Sequence, residues 1–132
     1  MNQTIAQKYP LLYAMTQNEL PEQVTKVAQR LTEKYPVLHP QRAKDLAAAY
    51  LAELMFSEWG RLEMEVENAE EVNDETRFYD AASELSLAGA LTEASGTRSL
   101  FDDLSRIKAM QTARGILWSD AVYRMAEEEV KA

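Results

Sequence analysis

Apolar positions recur at helical spacing along most of the chain, and one stretch dominates the pattern. From Pro40 to Val72 the sequence reads PQRAKDLAAAYLAELMFSEWGRLEMEVENAEEV, with no proline after its first residue and one glycine. Leu46, Ala47, Tyr50, Leu51, Leu54 and Met55 share one broad helical face, with Ala43 a turn before them. Ala48, Ala49 and Ala52 fill most of the remainder, and Phe56 lies outside it. A helix that is apolar or small nearly all round is buried on several sides, so residues 43–56 are expected in the middle of the core. Past Gly60 the apolar positions thin to a stripe of Trp59, Leu62, Val66 and Ala69 among Glu58, Glu63, Glu65, Glu67, Glu70 and Glu71. A straight helix over the whole stretch would run roughly 50 Å, longer than the domain around it. The pattern therefore predicts either a bend at Gly60 or a projecting second half, whose stripe would serve as an interface to a partner helix or a second copy.

The flanking segments predict shorter helices. Ile5, Tyr9, Leu12, Tyr13 and Ala14 give residues 2–18 an apolar side that Pro10 interrupts, so the helix is expected to start at Pro10 after an N-terminal arm. Pro21 opens a helix in which Val24, Val27, Ala28, Leu31 and Tyr35 are cleanly amphipathic. Pro36 and Pro40 make residues 35–40 a connector. Asp74 is the expected N-cap of a helix carrying Phe78, Ala81, Ala82, Leu85, Ala88 and Leu91. Ala94 to Thr97, around Gly96, reads as a mobile loop. Ser99 with Asp102 resembles a capping box opening a last helix through Leu100, Leu104, Ile107, Leu117, Trp118, Ala121 and Met125. Gly115 is expected to kink it, and Glu127 to Ala132 to form a solvated tail. The sum is an all-α, single-domain bundle of about five helices around a long central one.

Composition sharpens this picture in two places. The chain has 132 residues, four glycines, four prolines and no cysteine, which suits one helical domain and removes disulfides and thiolate chemistry. No apolar run approaches the roughly 20 residues of a membrane span and no signal peptide is visible, so a cytoplasmic protein without a membrane partner is expected. Charge is the second and more specific point. The net charge is −8, but its placement is uneven: residues 53–84 hold eleven acids against two bases, Arg61 and Arg77. The remainder, with eleven acids and twelve bases, is nearly neutral.

Most catalytic chemistries lack their parts. The one histidine, His39, sits between Leu38 and Pro40 at a helix start with no partnered serine motif. One histidine and no cysteine leave no zinc site, and no glycine-rich phosphate loop occurs. No cofactor or resident metal is expected. Direct nucleic-acid binding is disfavoured too, because the bases are scattered apart from Lys26, Arg30 and Lys34. Glu63, Glu67 and Glu70 share a helix face, and Asp80 with Glu84 forms a pair on the next helix. Glu67, Glu70, Asp80 and Glu84 resemble the facing acidic pairs with which all-helical nucleotide pyrophosphatases hold Mg²⁺, although the second pair departs from their spacing. That resemblance implies a Mg²⁺-dependent nucleotide hydrolase as an alternative.

The reading favoured by the sequence is a non-enzymatic interaction module. Its acidic face of Glu58, Glu63, Glu65, Glu67, Glu70, Glu71, Asp74 and Glu75 would bind a protein with a basic surface. Carboxylates along a rod imitate a phosphate backbone, as in small acidic phage and mobile-element proteins that inhibit nucleic-acid-handling complexes. A structural homodimer through Trp59, Leu62, Val66 and Ala69 is the other alternative.

Overall fold

The computed structural model describes residues 4–132, and all regular structure in them is helical. The order is α1 (Ile5–Lys8), α2 (Pro10–Thr16), α3 (Leu20–Lys34), α4 (Pro40–Asn68), α5 (Asp74–Ser83), α6 (Leu87–Ser95), α7 (Leu100–Arg114) and α8 (Trp118–Lys131). Among the described residues eight helices replace the expected five, because α1 forms in the expected arm and the last two predicted helices are each cut in two. Pro10 separates α1 from α2, with Tyr9 turned out of helical geometry at φ −132°. Ser86 accepts the Gly89 N–H and caps α6, two residues after Glu84 closes α5. Gly115 adopts φ 62°, a left-handed conformation that ends α7 rather than kinking it. No helix is long and apolar enough to cross a membrane among the described residues.

The central helix forms as its pattern requires. Pro40 occupies its first position, and the His39 Nδ1 accepts the Gln41 N–H at 3.0 Å, which gives the one histidine a capping role. Ala43, Leu46, Ala47, Ala48, Ala49, Ala52 and Met55 are all fully buried. The alanines matter because α4 touches every helix from α2 to α8, and small side chains let neighbours approach on all sides. Leu54, expected in the core, is instead 40 % exposed. The helix continues unbroken through Gly60, about 44 Å in all at 1.5 Å per residue, and stops at Asn68 rather than Val72. A Cβ at Gly60 would meet nothing within 4 Å, so no close helix contact requires a glycine there.

One apolar cluster draws side chains from every helix. Residues 4–9, expected to lie free as an arm, belong to it through Ile5 and the buried Tyr9. The expected mobile loop is also packed. Ser95 and Thr97 are buried, the Ser95 Oγ donates to Leu91 O and accepts the Thr97 N–H, and Gly96 caps α6 at φ 73°.

An ionic knot fastens the N-terminal half of α4. The Arg42 guanidinium donates to both oxygens of Asp103 on α7, at 2.7 and 2.8 Å, and to Glu129 on α8 at 2.7 Å. Asp45 lies 3.5 Å away, and the Ser99 Oγ donates to Asp103 at 2.9 Å. Ser99 thus spends its hydroxyl on Asp103 and forms no capping box with Asp102. The expected solvated tail is helix α8, and Glu129 and Val130 pack inward.

Candidate acidic interface

The far end of α4 is built differently. Beyond Met55 only Glu58 and Leu62 of α4 are fully buried, because α5 alone covers this end from the C-terminal side. Asn73 turns the chain back: its side chain accepts the Thr76 N–H while the Thr76 hydroxyl accepts the Asn73 N–H, a reciprocal cap one residue before the expected Asp74. The returning helix lays Tyr79 on Trp59, rings stacked at 4.9 Å. Leu62 is sealed, Val66 is half-buried, and Ala69 caps the helix. The stripe of Trp59, Leu62, Val66 and Ala69 is therefore covered in large part within the same chain, with Leu62 buried and the other three partly buried.

Four of the eight acids expected on the partner-binding face have duties inside the fold. Glu58 is 5 % exposed. Its carboxylate accepts the N–H groups of Leu11 and Leu12 at 3.0 to 3.2 Å, capping α2 from another helix because Tyr9 supplies no side-chain cap. Burial pushes the Glu58 carboxyl above the usual carboxylate range, with those two N–H groups opposing. Glu65 and Glu75 grip Lys8 of α1 at 3.0 and 3.3 Å. Burial alone would raise the Glu65 carboxyl, but the Lys8 ammonium outweighs it and holds it low. Glu65 in turn holds the Lys8 ammonium above its ordinary value. Beside them the buried Tyr9 hydroxyl has no hydrogen-bond partner, and burial pushes it up to about 12. Asp74 stands in the first turn of α5, where the helix dipole favours an acid, and faces Arg77 at 3.7 Å.

The other four have no such duty. Glu63, Glu67, Glu70 and Glu71 make no ion pair or side-chain hydrogen bond among the described residues, and the last three are exposed. Glu67 stands in the last turn of α4, where the unpaired carbonyls carry partial negative charge and an acid costs about 0.3–1 kcal/mol, and Glu63 stands one turn earlier. No basic residue occupies that last turn. The helix dipole would favour lysine or arginine there.

The structure does not gather these acids for metal chemistry. No group of three or more acidic or histidine side chains converges as a metal site among the described residues, and Glu67, Glu70, Asp80 and Glu84 do not form one. Arg61 is the feature that sequence reasoning passed over. It lies between a cleft containing Lys8, Glu65 and Glu75 and a groove on its other side, and its presence as one of two bases in the acidic segment was the available signal. No family model matches the chain, and no similar curated protein or solved structure was found.

Proposed function

We propose that the protein is a non-enzymatic interaction module whose acidic end engages a basic surface of another macromolecule. An inhibitor or regulator of a nucleic-acid-handling complex is the sharpest form of this reading. The observation that carries it is the sorting of the acidic segment. Glu58, Glu65, Glu75 and Asp74 are occupied by the fold, whereas Glu63, Glu67, Glu70 and Glu71 have no side-chain partner among the described residues, and Glu67 stands in the last turn of α4, which disfavours an acid. A solubilising role would be served as well by acids at helix N-termini. Four neighbouring carboxylates at one end of a rod present the charge density that lysine- and arginine-rich surfaces bind in phosphates.

The test is capture from a host lysate at low and high salt, with the E63K/E67K/E70K variant as control. A basic, nucleic-acid-binding complex held at low salt, released at high salt and absent from the variant supports the reading. Equal capture by the folded variant rejects it.

A further inference from the structure

The second half of α4 turns one face outward. Glu53, Phe56, Gly60, Met64 and Glu67 are exposed, whereas Met55, Glu58 and Leu62 on the opposite face are buried. Phe56, Gly60 and Met64 follow one another at four-residue spacing along the outward face. Phe56 is 41 % and Met64 63 % exposed, so both are large apolar side chains that the fold leaves in water. Glu53 and Glu67 close the line at its two ends, each seven residues from Gly60, or about 10 Å along the axis. Glu63 stands on one flank. None of these three acids makes an ion pair or a side-chain hydrogen bond among the described residues. Arg61, on the other flank, leans away toward the Lys8 carbonyl at 3.5 Å.

Gly60 is the second feature of this face. A glycine inside a helix costs about 1 kcal/mol relative to alanine. A Cβ there would meet nothing, so the packing of the chain itself gains nothing from its absence. The missing side chain leaves a shallow seat between Phe56 and Met64, where the backbone of another helix can approach closely.

The chemistry of the face selects the occupant. A partner that binds phosphate alone has no use for Phe56 and Met64. Two copies crossed at Gly60 would bring acids against acids at both ends of the line, whichever way the helices run. Nucleic acid and anionic lipid are repelled by the same acids. A helix with an apolar face bordered by lysine or arginine meets both features. Its apolar side chains cover Phe56 and Met64 across Gly60, and its bases face Glu53, Glu63 and Glu67. We infer that the partner engaged by the acidic end presents a basic amphipathic helix, lying along α4 with its closest approach at Gly60, an assignment that rests on the function proposed above.

Fluorescence anisotropy tests it with a labelled peptide of leucine, lysine and alanine whose leucines share one helical face. A second peptide of the same composition has its leucines scattered. The wild type is expected to bind the first about tenfold more tightly than the second, because only the first can bury leucines on Phe56 and Met64. Gly60→Gln changes no charge and has open space for its side chain, so it should be at least as stable as the wild type in urea. It is nevertheless expected to weaken binding of the first peptide about tenfold, by filling the seat. F56Q/M64Q is expected to bind the two peptides alike. Equal binding of both peptides by the wild type, or undiminished binding by Gly60→Gln, overturns the inference. Capture from lysate separates that failure from failure of the function. A basic complex lost by E63K/E67K/E70K but held by Gly60→Gln and by F56Q/M64Q leaves the acidic end its partner and removes the helix. A complex held equally by E63K/E67K/E70K rejects the function itself.

Discussion

The two ends of α4 handle charge in opposite ways. Near Pro40 one arginine is shared by three carboxylates from three helices, and Asp103 is 1 % exposed. Near Asn68, Glu63 and Glu67 stand where no base and no helix dipole favours them. The same residue type thus does structural work throughout the knot, whereas at the far end Glu65 pairs with Lys8 and its neighbours Glu63 and Glu67 pair with nothing among the described residues. Charge that the fold uses can be recognised by its partners, and what remains is the candidate for function. That separation fails if the knot proves dispensable or if the free acids prove structural.

The largest effect is expected at the knot. Asp103→Ala removes two of the Arg42 hydrogen bonds and strands the Ser99 hydroxyl, although Glu129 and Asp45 still neutralise the guanidinium. A loss of about 3 kcal/mol is expected in urea unfolding, at the lower end for a broken buried pair. A change below about 1 kcal/mol would remove the knot from the comparison.

Glu58 comes next. Glu58→Ala leaves the Leu11 and Leu12 N–H groups buried without acceptors, for a loss of about 2 kcal/mol. Glu58→Gln keeps an acceptor and isolates the charge. The folded-state Glu58 carboxyl is raised above its ordinary 4.5, so its stabilising contribution is present below that value and is lost as pH rises through the folded value. Melting temperatures of the wild type relative to Glu58→Gln should therefore fall as the pH rises above the ordinary glutamate value. Glu65, held low by Lys8, works with the opposite sign: its contribution is present above 4.5 and is lost on acidification. Glu65→Gln should flatten the acid limb of the stability curve.

How much of this was legible in the sequence follows from range. The buried face of Ala43 to Met55 repeats every turn and needs no knowledge of neighbours. Local chemistry also reads well, as in the Pro40 start and the helix-breaking Pro10. Gly115 was noticed, but only its positive φ distinguishes a stop from a kink. What resisted reading was pairing across distance. Nothing near Glu58 signals that its partners are N–H groups 46 and 47 residues earlier, and nothing near Lys8 points to Glu65. An acidic run looks uniform in sequence because its members differ only in what they touch.

Gly60 offers a smaller test of the same helix. A Cβ there has open space, and alanine removes the backbone-entropy cost of a helical glycine. Gly60→Ala should raise stability by about 0.5–1 kcal/mol. Unchanged or lowered stability would mean that the helix needs flexibility at this point, as a hinge would.

The smallest effect is the most informative. Replacing Glu63, Glu67 and Glu70 by lysine reverses three charges at one end of a rod, a change that would be severe if those acids supported the fold. They have no partners among the described residues, and Glu67 opposes the helix dipole, so the variant should be as stable as the wild type or more stable by a few tenths of a kcal/mol. Raised salt should narrow the difference, since exposed charges are screened. A loss above about 1 kcal/mol in urea unfolding would show that these carboxylates serve the fold after all. Such a result would dissolve the contrast between the two ends of α4 and remove the reason for assigning the acidic end a partner.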